Sequence, residues 1–193
     1  MKEKIEIIDK SEYGKEASPF QKFLKSLYIY IVITVATYLT FSFVIMNSPV
    51  VSGSMETELM TGSIVVSNRL AKKYERNDII VFESDEFDLP LVKRIIGIGG
   101  DIVELKDGLV YVNGEVEEVV KGQETYPLID YPEREVYLVP EDSFLVLGDN
   151  RSFSIDSRGF KQPFIHKEQV LAKAFMKYSL WSDNNKVYVK FVK

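Results

Sequence analysis

No charged residue interrupts the chain between Lys25 and Glu56, and the middle of that gap, residues 27–46, is apolar on every side. A helix of about 20 residues rising 1.5 Å per residue reaches roughly 30 Å, the thickness of a bilayer's hydrocarbon core. The pattern therefore predicts one transmembrane helix over residues 26–46, preceded by a poorly ordered tail, residues 1–25. Tyr28 and Tyr30 fall where an interfacial aromatic belt is expected. Lys22 and Lys25 flank the start, whereas the first charges after the run are Glu56 and Glu58. That asymmetry places the tail in the cytoplasm and residues 47–193 outside. A cleaved secretory signal competes with this reading, because small residues such as Ser52 and Gly53 follow. Such signals have a short basic leader and an apolar stretch of about 7–15 residues. Here the leader is longer and mixed in charge, which favours a retained anchor.

Beyond the anchor the period changes. Short runs rich in β-branched and aromatic residues occupy 63–67, 78–83, 91–98, 101–105, 109–112, 136–139, 143–147, 171–178 and 187–192. Lys106-Asp107-Gly108 and Asn113-Gly114 between them are hairpin-type turns. No segment there sustains a helical repeat, so the prediction is a mainly β protein: an N-terminal helix followed by one antiparallel β domain. Residues 115–135, with Pro127 and Pro132, read as an irregular excursion.

Composition narrows the chemistry. The formal charge of −5 argues against nucleic acid as a partner. With no cysteine, neither disulfides nor thiolate metal sites can form, and a single histidine, His166, excludes a multi-histidine metal centre. No metal and no cofactor is expected. A Ser-His-Asp triad would have to use that one histidine.

Three segments stand out. Ser52-Gly53-Ser54-Met55 lies between apolar Pro49–Val51 and the acidic residues that follow. A nucleophilic serine suits an exposed turn whose N–H groups can face an oxyanion, although Ser-Gly-Ser alone reads more readily as a linker. Lys93 and Arg94 sit inside the 91–98 run, where alternation sends one of them to solvent and the other into apolar surroundings. A lysine buried there would lose its charge more easily and could accept the serine proton; the plainer alternative is an edge lysine that snorkels to water. The third segment, residues 147–158, packs hydroxyls, carboxylates and guanidinium groups behind a buried strand. In it Asp156 or Asp149 could pair with Arg158, and a serine could orient the lysine amine; local capping is the simpler reading.

Taken together, these segments resemble the type I signal peptidases, bacterial membrane-bound Ser–Lys leader peptidases. The blocks stand in that family's order: Ser-Gly-Ser-Met-Glu at 52–56, Val-Lys-Arg-Ile-Ile-Gly at 92–97 with Gly100-Asp101, and Gly-Asp-Asn-Arg-x-x-Ser-x-Asp-Ser-Arg at 148–158. The resemblance implies Ser54 as nucleophile and Lys93 as general base. It implies an oxyanion hole from the Ser54 N–H and the Ser52 hydroxyl, and Ser154 as the group that orients Lys93. Asp149, Asp156 and Arg158 would brace the site, with Met55 and Arg94 in support. Pro49, Val50, Val51 and Leu91 would line shallow pockets for small substrate side chains. Eight residues from Met46 to Ser54 span at most roughly 28 Å, which would keep the nucleophile near the bilayer. The implied substrates are secreted preproteins carrying signal peptides, met at the lipid bilayer, and the secretion translocon could be a further partner.

The chain departs from the family pattern at turns. Thr57 and Glu58 stand where Pro-Thr is usual, Gly99 where proline is usual, and Gly159-Phe160-Lys161 follows the last block. Relatives that lack the catalytic residues serve pilus or surface-protein assembly, and a catalytically silent assembly factor of this fold is the alternative. A self-cleaving Ser–Lys repressor would need a cytoplasmic DNA-binding partner domain, against which the anchor and the acidic charge both argue.

Overall fold

The computed structural model describes residues 18–56, 58–106, 108–117, 134–179 and 188–192. Its contacts separate two units, Met1–Ser42 and Phe43–Lys193.

In the first unit, helix α1 begins at Pro19 and continues to Val44. Its start is set by a reciprocal cap. The Gln21 N–H donates to Ser18 Oγ (3.2 Å), and the Ser18 N–H donates to Gln21 Oε1 (3.0 Å). Proline at the first helical position has no N–H to leave unsatisfied. Thr34, Thr40 and Ser42 return their hydroxyls to the carbonyls of Tyr30, Ala36 and Tyr38. Those polar groups are thereby satisfied inside the helix, as hydrocarbon surroundings require. The helix is long and apolar enough to cross a membrane. It differs from the expected 26–46 span at both ends, since Ile45 and Met46 belong to strand β1 (Ile45–Pro49).

The second unit is antiparallel throughout. Its larger sheet contains β1, β2 (Ile64–Asn68), β3 (Ile79–Ser84), β4 (Phe87–Ile98), β9 (Ser143–Leu147), β10 (Phe164–His166), β11 (Val170–Ser179) and β12 (Tyr188–Phe191). The order is β1-β2-β11-β3-β4-β9-β10, with β12 on β11. A smaller sheet runs β7-β6-β5-β8, from β5 (Ile102–Lys106), β6 (Leu109–Val112), β7 (Glu115–Val116) and β8 (Arg134–Leu138). The predicted runs after the anchor all became strands. Of the 115–135 excursion, 118–133 lie outside the described residues, while β7 and the start of β8 belong to the small sheet.

The two sheets meet through one apolar cluster. Ile96, Leu145 and Leu147 of the large sheet pack with Val103, Leu105, Val110, Val112 and Tyr137 of the small one. Gly97 makes this approach possible: a Cβ there would stand 2.6 Å from Val103 Cγ2 and 3.0 Å from Val139 Cγ2. Ile95, the neighbour of Ile96, belongs to a different cluster with Ile80, Phe82 and Phe144. Both faces of β4 are therefore covered from Lys93 to Gly97. That corrects the expectation that one of Lys93 and Arg94 points to solvent, because both are buried.

Candidate active site

Ser54 occupies a 3-10 turn, Gly53–Met55, between β1 and β2. The turn is part of the folded core, so the linker reading is overturned. Met55 and Leu59 are fully buried with Val50, Val65, Ile79 and Ala174. On its other side, Asn150 holds the turn by two bonds: its N–H donates to the Ser54 carbonyl (3.0 Å) and its Nδ2 to the Gly53 carbonyl (3.0 Å).

Lys93 reaches this turn from β4, where it pairs with Ile80 of β3. Its Nζ donates to Ser54 Oγ at 2.6 Å. Lys93 is 3% exposed and Ser54 8%. Burial lowers the Lys93 amine from 10.5 to about 8; Asp156 and Asp149 oppose the fall and Arg158 assists it. The charged amine has lost its water and gained no carboxylate in contact, so desolvation dominates. Ser52 Oγ lies 3.2 Å from Ser54 Oγ, on the exposed rim of the turn.

The third sequence segment forms the wall. Asp149 receives Arg94 through two bonds, Nε at 2.8 Å and Nη2 at 2.7 Å. Asp156 receives Arg158 in the same way, at 2.7 Å each, and also accepts the Gly148 N–H at 2.9 Å. Of the two pairings left open for Arg158, the one with Asp156 is formed. Gly148 must be glycine, because a Cβ there would run into Ser154 Oγ and the Ser54 carbonyl.

Two expectations need correction. Ser154 does not hydrogen-bond Lys93: its buried Oγ has no hydrogen-bond partner among the described residues, and its side chain packs over Gly148 instead. The four expected pocket residues also divide. Pro49 and Val51 are exposed, whereas Val50 is a core residue beside Met55, and Leu91 packs on the Ile80–Phe82 cluster. Val92, one residue on, is the β4 side chain that shares the Val50 cluster.

The turn after Ser54 has its own brace. Glu58 pairs with Lys177 of β11 (3.1 Å) and Lys190 of β12 (3.4 Å), and Lys177 also donates to the Glu58 carbonyl. Ionic contacts thus hold Glu58 against β11 and β12. Glu58→Ala is expected to lower unfolding free energy by about 1 kcal/mol, measured by urea denaturation, since these pairs are partly solvated. At the Gly99 departure, Gly100 adopts a φ of +88°. Asp101 accepts the Ile98 N–H (2.9 Å) and pairs with Arg76, closing that corner. Sequence reasoning assigned no role to Asn150 or Gly148, although both lie in the quoted block.

Among known sequences, the family profile described as "Signal peptidase, peptidase S26" matches residues 21–181. The chain belongs to this signal peptidase family. "Probable signal peptidase I-2" of Synechocystis sp. is 33% identical over 138 residues, covering 66% of this chain and 60% of its own length. "Signal peptidase IB" of Staphylococcus aureus is 29% identical over 166 residues, covering 77% of this chain and 85% of that protein. A crystal structure of a signal peptidase I from Enterococcus faecalis V583 is 34% identical, with a TM-score of 0.41, and covers 52% of this chain and 96% of its own. Signal peptidases of this family are serine hydrolases that cleave peptide bonds, and the profile covers most of α1, the turn that carries Ser54 and the strand that carries Lys93.

Proposed function

We propose that the protein is a membrane-anchored serine endopeptidase that removes signal peptides from secreted preproteins on the extracytoplasmic side of the bilayer. The observation that carries this reading is the 2.6 Å contact between Lys93 Nζ and Ser54 Oγ, made in a buried setting that depresses the amine's pKa to about 8.

In the proposed reaction the neutral Lys93 amine takes the Ser54 hydroxyl proton as Ser54 Oγ bonds to the scissile carbonyl carbon. The carbonyl π electrons move to oxygen, giving an oxyanion that accepts from the Ser54 N–H and the Ser52 hydroxyl. On collapse the C–N bond breaks, and Lys93 returns its proton to the leaving amine. Lys93 then takes a proton from water, whose oxygen attacks the Ser54 ester; the C–Oγ bond breaks to release the acid, and Lys93 passes that proton to Ser54 Oγ, restoring both groups.

Substrate entry is supported by unpaired backbone. Among the described residues, β1 is an edge of the large sheet, and β4 pairs with β9 only from Arg94 onward, which leaves one side of residues 88–92 open. An extended peptide can add along these edges, with the exposed side chains of Pro49 and Val51 beside it. The orientation follows from Lys22 and Lys25 at the start of α1, set against Glu56 and Glu58 beyond its far end.

The test is cleavage of a preprotein by the full chain in lipid vesicles. Wild type is expected to release the mature protein, and Ser54→Ala to leave it uncut. Wild type that folds but never turns over would point to the assembly-factor alternative.

A further inference from the structure

Glu117 lies beyond the residues that the family blocks single out, directly after β7 of the small sheet. Its N–H donates to the Val110 carbonyl at 2.8 Å, so the sheet fixes its backbone. Its carboxylate accepts Arg151 Nη2 at 3.2 and 3.1 Å, and the two side chains are 8% and 10% exposed. Arg151 in turn donates its Nε to the Gly148 carbonyl at 3.0 Å, and its own carbonyl accepts Arg158 Nη2 at 2.9 Å. The residues between Gly148 and Arg151 are Asp149, locked to Arg94, and Asn150, which holds the carbonyls of Gly53 and Ser54. Glu117 therefore connects to the nucleophile's backbone through a single guanidinium and one tight turn.

An ion pair whose only task was to join two sheets could stand anywhere along their seam. This one ends on the turn that carries Asn150. Burial raises the Glu117 carboxyl above its ordinary range and Asp149 adds to the rise, while Arg151 and Arg94 counter it. Keeping such a carboxylate ionised is unfavourable without its guanidinium, so the pair is coupled tightly.

We propose that Glu117 is a positioning residue for the reaction: through Arg151 it fixes the 148–151 turn, and Asn150 thereby sets Ser54 Oγ against Lys93. The inference rests on the Ser54–Lys93 reading. Small displacements of a nucleophile are costly, because an error of about 1 Å can lower turnover 100-fold.

The experiment compares full-length wild type, Glu117→Gln, Arg151→Met and the double variant in detergent, each checked for folding by circular dichroism, with kcat and KM for a signal-peptide substrate. Glu117→Gln is expected to lower kcat about 10-fold with KM nearly unchanged. The double variant is expected to be no worse than Arg151→Met, since Glu117 acts through that side chain. Should Glu117→Gln fail to fold, Arg151→Lys keeps the charge but loses the fork, and the same fall in kcat is expected of it. Unchanged kcat in a folded Glu117→Gln, or losses that simply multiply in the double variant, would overturn the proposal. Ser54→Ala and Lys93→Met run alongside. If they are inactive while Glu117→Gln is fully active, only this inference fails; if they retain turnover, the site reading fails with it.

Discussion

Lys93→Met is expected to abolish turnover, by about 1,000-fold or more, and at the same time to stabilise the folded chain at pH 7. Activity falls because no other group among the described residues contacts Ser54 Oγ from the buried side to take its proton. Stability rises because the native amine is held at about 8 against 10.5 unburied, a penalty of about 3 kcal/mol on the charged form. Methionine fills similar volume without that charge. The sign can be read from pH as well. From about pH 8 to 10.5 the unfolded chain keeps a lysine proton that the folded chain has released, so wild-type stability climbs with pH across that window. In Lys93→Met this climb should vanish. Urea unfolding at pH 7 and pH 10 measures both effects. A variant less stable than wild type at pH 7 would show that Lys93 contributes to the fold by more than its amine.

Asp149→Ala is expected to be among the most damaging single changes to the fold. Its carboxylate is completely buried and receives two bonds from Arg94, which is itself only 4% exposed. Removing it leaves a guanidinium in the interior without its carboxylate, a loss of about 3–5 kcal/mol. Against a typical total of about 5–15 kcal/mol, that removes a large share of the chain's stability. Replacing both partners, as in Arg94→Met with Asp149→Leu, removes the stranded charge and should recover most of the loss. Thermal unfolding of the single and double variants tests this, and a loss under about 1 kcal/mol for Asp149→Ala would contradict it.

Much of this was legible in the amino-acid order. The alternating runs after the anchor became strands because one or both of their faces pack into a core that a period of two marks clearly. Lys93 and Ser54 stand out together through the order of the family blocks, because taken alone each has a plainer reading, an edge lysine that snorkels and a serine in a linker. The ends of α1 were harder. Hydrophobicity cannot distinguish the last turn of an anchor from a buried strand, so Ile45 and Met46 were assigned to the helix although they pair with Asn68 and Ser67 of β2. The start carried a readable signal in Ser18-Pro19-Phe20-Gln21, a capping box with proline at the first position, but the charges around it pointed to a tail. Arg94 defeated simple alternation, since covering both faces of β4 depends on where the small sheet lands. The gap between Ser154 and Lys93, and the reach of Glu117 to Arg151, are tertiary facts with no local pattern to announce them.

The most direct measurement of the central claim is kcat/KM against pH for the full chain in detergent, from about pH 6 to 9.5, a range that spans the lowered lysine value. A neutral Lys93 serving Ser54 predicts a rise of about ten-fold per unit that levels off near pH 8, where the buried amine loses its proton. A profile that is flat across this range, or one that keeps its shape in Lys93→Met, would contradict it.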